Sequence, residues 1–194
     1  MNKQLKQILS KIFFLIIIFG IIYFINNIDL DNINITNFRK ETTPTIKLND
    51  KEDFKIYFID VGEADCILIT NNGENVLIDA GNNRDGKKLV EYFHYLGITN
   101  FKYVIGTHAH EDHVGGMDDI IRNFSIEHFF MPKQKVDTVT YTEILEELNK
   151  KNIKYETPEI DSTFTMAESK FTVLYIGDKK EDLNDTSIVL KLNF

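Results

Sequence analysis

One ten-residue segment constrains this chain more than any other: Thr107-His108-Ala109-His110-Glu111-Asp112-His113-Val114-Gly115-Gly116, which closes the apolar run 102–107. His108, His110 and His113 are three of the chain's five histidines, and with a carboxylate they fall within one stretch after a strand-like run. His108 and His110 are two apart, so extended backbone projects both imidazoles to one side, where they can take one metal ion. Asp112 and His113 then turn into a loop and can offer an oxygen and a nitrogen to a second ion. Gly115 and Gly116 allow a tight turn and close packing where the next helix begins. Imidazole and carboxylate suit Zn²⁺, with Mn²⁺ or Fe as alternatives if water ligands are added. An ion held this way lowers the pKa of its water toward about 7, and two ions about 3.5–4 Å apart clamp attacking and leaving oxygens. A bland loop of surface histidines leaves that density of ligand residues unexplained.

The surrounding pattern predicts alternating strands and helices. Runs 54–60, 66–70 and 76–79 are apolar and β-branched, with a turn signal at Asn71-Asn72-Gly73 between the last two. Leu89, Phe93 and Leu96 share a helical face that Gly97 stops; Met117, Ile120, Ile121 and Phe124 mark a second helix, and Tyr141, Ile144, Leu145 and Leu148 a third. Runs 171–176 and 187–192 return to strand. The expected class is a layered α/β domain with mixed pairing in its hairpin-rich early part.

Ahead of that domain, residues 12–25 (IFFLIIIFGIIYFI) carry no polar group but the Tyr23 hydroxyl, and Lys3, Lys6 and Lys11 precede them. With Ile8 and Leu9 included, and Lys11 snorkelling, the segment reads as a signal-anchor helix over 8–25. The small residues that signal peptidase needs are missing after Ile25, so an uncleaved single-pass anchor is expected. Its Lys-rich end is cytoplasmic and the following domain extracellular by the positive-inside rule. Residues 28–52, rich in Asn, Asp and Thr, read as a polar tether, leaving 53–194 for the domain.

Charge narrows the partners. The chain has 22 Lys and Arg against 30 Asp and Glu, a formal net charge of −8, and the excess acid lies beyond residue 50. A broad surface for gripping duplex phosphates is excluded on that balance; a small or metal-held anionic substrate is not. The lone Cys66 forms no internal disulfide and reads as a buried, inert thiol. His94, on a predicted helix flank, and His128, before Phe129-Phe130, read as structural.

The segment HAHEDHVGG (108–116) resembles the H-x-H-x-D-H signature of the metallo-β-lactamase fold. Asp60-Val61-Gly62-Glu63-Ala64-Asp65-Cys66-Ile67-Leu68-Ile69 is similar to the strand-turn-strand of the extracellular hydrolase domain of ComEC-type competence proteins. Ile78-Asp79-Ala80-Gly81 and Asn184-Asp185-Thr186-Ser187-Ile188-Val189-Leu190 resemble two further elements of that subgroup, in the same order. The resemblance implies an αββα sandwich. It implies that His108 and His110 bind one metal, usually zinc, and Asp112 and His113 a second, with Asp112 also orienting the attacking water. Asp79 would brace the loop by hydrogen bonds from a strand end, although the bare sequence reads it equally well as a turn residue before Gly81.

The resemblance also implies a bridging Asp and further histidines in the second half of such a domain. Gly177-Asp178 precedes the Asn184–Leu190 element instead of following it, so that role is not carried over. Residues 53–194 therefore read as the first half of a hydrolase, with a completing half or second polypeptide as an expected partner. Three functions follow as expectations. The first is a membrane-anchored ComEC-like metallo-hydrolase using metal-bound hydroxide on phosphodiesters or nucleic acid. The second is a hydrolase of another ester or amide, and the third a non-catalytic, membrane-tethered metal- or partner-binding domain.

Overall fold

Two β-sheets face one another across an apolar interior, with helices on the outer face of the larger one. The structure is a computed structural model and describes residues 54–178 and 182–194. The expected anchor and tether fall outside the described residues; among the described residues no helix is long and apolar enough to cross a membrane.

The first sheet has strand order β1-β2-β3-β4-β5-β6: β1 (Lys55–Phe58), β2 (Ile67–Asn71), β3 (Glu74–Ile78), β4 (Asn100–Ile105), β5 (Ser125–Phe130) and β6 (Tyr155–Glu156). β1 to β3 pair antiparallel and β3 to β6 parallel, the mixed sheet expected. The β2–β3 hairpin turns at Asn72 (φ 53°) and Gly73 (φ 83°), the two left-handed residues that a twist-matched two-residue turn requires.

Each parallel step is bridged by helix: α1 (Gly86–Tyr95) from β3 to β4, α2 (Glu111–Val114) and α3 (Met117–Asn123) from β4 to β5, and α4 (Val139–Lys150) from β5 to β6. Leu89 and Phe93 of α1, Ile120 and Ile121 of α3, and Ile144 and Leu148 of α4 are buried against Leu68, Leu77, Phe101, Val104 and Phe129. On the other face Ile69, Val76, Tyr103, Ile105 and Phe130 meet Met166, Phe171 and Ile188 of the second sheet. Both faces of β2, β3 and β4 are thus covered, as is the end of β5 at Phe129 and Phe130. Neighbouring residues such as Leu68 and Ile69 point to opposite cores, and the strands read as continuous apolar runs for that reason.

The second sheet is antiparallel, β7 (Thr163–Met166), β8 (Ser169–Tyr175) and β9 (Val189–Asn193), with a 3₁₀ turn at Asn184–Thr186 leading into β9. Glu74 ties the two sheets together. Its carboxylate accepts Lys102 Nζ from β4 at 2.7 Å and the Ala167 amide of the β7–β8 turn at 2.7 Å. The observed order is helix layer, mixed sheet, second sheet; among the described residues no helix covers the far face, where Leu174 and Tyr175 are half exposed.

Residues 111–114 form a helical turn, α2, where a loop was expected, because His110 is extended (φ −80°, ψ 148°) and its carbonyl accepts the amides of His113 and Val114. Gly115 has ordinary helical angles (φ −56°, ψ −45°). A Cβ there would run into the backbone of Asn82 and Asn83, and one on Gly116 into the Ala80 carbonyl. Close approach, not an unusual turn, requires glycine at both.

Candidate metal centre

The site lies where β3 and β4 end. Beyond β3 the chain turns at Asp79, a non-glycine residue in the left-handed region (φ 57°) and only 3% exposed. Aspartate tolerates that conformation better than bulkier residues. The Asp79 amide donates to the Ile105 carbonyl at 2.9 Å, and the Ala80 amide to the His113 carbonyl at 2.7 Å. The end of β3 is thereby stitched to both sides of the histidine segment.

The Asp79 carboxylate gathers donors from that segment. Oδ1 accepts the Thr107 amide at 2.8 Å; Oδ2 accepts the Thr107 hydroxyl at 2.7 Å and faces His113 Nδ1 at 2.9 Å. Burial pushes the Asp79 pKa up, opposed by the His113 and Thr107 hydrogen bonds. The Asp79 hydrogen bond raises the His113 pKa against the cost of its burial. Nδ1 of His113 is thus the donor nitrogen, and Nε2 is left for a metal, the arrangement of a carboxylate–histidine–metal triad.

His108 is 4% exposed. Its Nε2 lies 3.1 Å from His110 Nδ1, close to the roughly 3.3 Å that two zinc–nitrogen bonds of about 2.0–2.1 Å subtend at a tetrahedral angle. Burial, then the nearby His113 and His110, lower the His108 pKa to about 4, so its imidazole is neutral at pH 7 and able to ligate. The His108 and His113 rings are 4.0 Å apart. Asp112 Oδ2 stands 3.8 Å from His113 Nε2, with a half-exposed side chain. The four expected ligands therefore occupy one cluster as two pairs, His108 with His110 and Asp112 with His113.

Asp65 also enters the cluster. Its amide donates to the Asp112 carbonyl at 3.2 Å, and its carboxylate lies 3.7 Å from His113 Nδ1. Ligand atoms of Asp65, Asp79 and His113 all lie within 4.8 Å of one another, a candidate metal-binding triad. An ion there has to displace the proton on His113 Nδ1 and compete with the Thr107 bonds to Asp79. The Nε2 side of His113 carries neither cost.

The other histidines and the cysteine stand apart. His94 is exposed on α1 with its ring 4.7 Å from Phe124, and His128 on β5 stacks on Tyr103 at 4.9 Å. Cys66 is buried, which drives its thiol pKa far up and leaves it inert.

Three residues around His108 carry no signature of a side-chain role in the sequence. The Thr107 hydroxyl lies 3.1 Å from His108 Nδ1 and the Ser187 hydroxyl 3.3 Å from the same atom, while the Asn184 side chain acts on the ring by raising its pKa. The Asn184–Ser187 resemblance was the available signal, but it carried no chemistry.

The family model described as Metallo-beta-lactamase superfamily matches residues 59–182. A search of curated proteins gave no match. Among solved structures, a HARLDQ-motif metallo-beta-lactamase of Cronobacter sakazakii is 13% identical over 71% of this chain and 56% of its own, with a TM-score of 0.49. The metallo-beta-lactamase from Pontibacter korlensis is 18% identical over 72% and 60%, with a TM-score of 0.46. The chain spans about half the length of the solved structures it resembles.

Proposed function

Because this chain belongs to the metallo-beta-lactamase superfamily, we propose that it is a membrane-anchored, metal-dependent hydrolase of the ComEC-like branch, acting on phosphodiesters at the outer face of the cell membrane. The observation that carries the hydrolase reading is the convergence of His108 Nε2 and His110 Nδ1 at 3.1 Å beside the Asp112–His113 pair. The donor set, three imidazoles and a carboxylate, suits zinc, with Mn²⁺ or Fe as alternatives. His108 and His110 would hold one ion, and Asp112 with His113 a second. Bound there, the metal supplies Lewis acidity and an activated water.

The protein's own groups do the rest. Asp79 orients His113 and holds its proton on Nδ1. Thr107, held to Asp79 through amide and hydroxyl, fixes where the chain leaves β4 and so where His108 starts. The half-exposed Asp112 carboxylate orients the attacking water as a hydrogen-bond acceptor. The phosphodiester assignment is supported by the resemblance at Asp60–Ile69 and Asn184–Leu190. Anchoring and outward orientation are supported by the apolar run 12–25 behind Lys3, Lys6 and Lys11.

One observation favours a second reading, a tethered domain that binds metal or a completing polypeptide without turnover. Among the described residues no further histidine joins the cluster, so each ion receives two of its ligands from the expected set, where catalytic zinc ordinarily has three. Incubating the zinc-loaded full chain with a nitrophenyl phosphodiester and a chromogenic lactam separates the readings. Phosphodiester hydrolysis lost in His110→Ala supports the proposal, lactam hydrolysis moves it to the amide alternative, and bound zinc without turnover favours the non-catalytic domain.

A further inference from the structure

We infer that Ser187 is a positioning residue that fixes the tautomer of His108 from the second sheet, an inference that rests on the reading of His108 as a metal ligand. A hydroxyl has one proton to give. That of Ser187 goes to the Asn184 carbonyl at 2.7 Å, an acceptor that has no proton to return. The Ser187 oxygen, 3.3 Å from His108 Nδ1, can therefore only accept from the ring. Thr107 acts in the same sense: its hydroxyl donates to Asp79 Oδ2 at 2.7 Å and offers its oxygen to His108 Nδ1 at 3.1 Å. Asn184 turns its amide end away to Asp182 at 3.0 Å, so it presents no competing donor to the ring. With acceptors on that side, the proton of neutral His108 resides on Nδ1, and the Nε2 lone pair faces His110 Nδ1.

Ser187 is held in place independently of the histidines. The Ile188 amide donates to the Thr107 carbonyl at 2.9 Å, and Ile188 is buried between the sheets. The turn carrying Asn184 packs so closely on Gly177 that a Cβ there would overlap the Asp185 carbonyl; Gln134 Nε2 donates to the Gly177 carbonyl at 3.1 Å. The histidine segment belongs to the first sheet, but its first ligand is set jointly by Thr107 and by a residue delivered by the second. Docking of the two sheets thus prepares the metal site.

The test uses nitrogen-15 resonances of the histidine rings in the metal-free full chain, with zinc titrations of wild type, Ser187→Ala and Ser187→Thr. Expected are an Nδ1–H tautomer for His108 in wild type, a shift toward mixed tautomers and about tenfold weaker zinc binding in Ser187→Ala, and recovery of both in Ser187→Thr. An Nε2–H tautomer in wild type overturns the inference, as does a Ser187→Ala protein with unchanged ring resonances and zinc affinity. A wild-type chain that shows the Nδ1–H tautomer but binds no zinc leaves the positioning role standing and removes the metal-centre reading instead.

Discussion

Asp79 Oδ2 and His113 Nδ1 are 2.9 Å apart, joining the left-handed turn after β3 to the third histidine of the cluster. The same carboxylate holds Thr107 by two bonds, so one side chain sets the approach of the segment on both flanks. Asp79→Asn keeps a residue that tolerates the left-handed backbone and an oxygen for one donor, but removes the charge that makes His113 more basic. We expect the fold to survive and zinc affinity to fall about 10- to 100-fold. Asp79→Ala also strands the half-buried Thr107 amide and should cost about 1–3 kcal/mol in denaturant unfolding. Equal zinc affinity in Asp79→Asn and wild type contradicts the bracing role.

Asp65 distinguishes the two faces of His113. If the ion sits on the Nε2 side, Asp65→Asn leaves zinc stoichiometry unchanged, since its carboxylate faces Nδ1. Loss of an ion in that variant, measured by metal analysis of the purified protein, would place the ion in the Asp65–Asp79–His113 triad instead.

Gly115 is required by contact, since its backbone angles suit any residue. Its missing Cβ makes room for the Asn82–Asn83 backbone and the Glu111 carbonyl, none of which can rotate away. Gly115→Ala should destabilise the chain by about 1–3 kcal/mol or more, with zinc affinity falling as α2 is displaced. Gly73→Ala, with open space around it but φ 83°, should cost about 1–2 kcal/mol from backbone strain alone. Thermal midpoints of both variants, with zinc titrations, check the contrast.

The metal-free protein should weaken in acid through His108. Burial, then His113 and His110, hold its pKa down from 6.5 to about 4, with Asp112 and Asn184 pulling the other way. A base whose folded pKa lies below its unfolded one contributes stability above the unfolded value. That contribution is lost as pH falls through the folded one. His113, raised chiefly by Asp79, works oppositely: its stabilisation is present below its unfolded value and lost as pH rises through its folded one. Chelator-treated wild type should therefore lose more stability between about pH 6.5 and 4 than His108→Gln does. Parallel urea midpoints for the two would contradict this.

Much of this architecture was legible because burial and local sequence agree. β2, β3 and β4 are covered on both faces and read as apolar runs; α1, α3 and α4 bury one face each and show helical spacing. β6, at two residues, is too short to carry a pattern, and β7 (Thr163–Met166) alternates Thr with Phe and Met weakly. Both are set by their partners. The four expected ligands were legible because they lie in one contiguous segment. Asp79 came from a resemblance, and its left-handed geometry could not be read from an Asp before Ala80 and Gly81. Ser187 and Asn184 act only once the second sheet docks, so their part in the site depends on contacts 79 residues apart in the chain for Ser187 and His108.

The most direct test of the central claim is the zinc content of the full chain after equilibration with excess zinc and desalting, measured beside His110→Ala and His94→Ala. The paired-histidine centre predicts at least one zinc per chain in wild type and in His94→Ala, and loss of it in His110→Ala. A zinc-free wild type, or a His110→Ala protein that keeps its full complement, would contradict it.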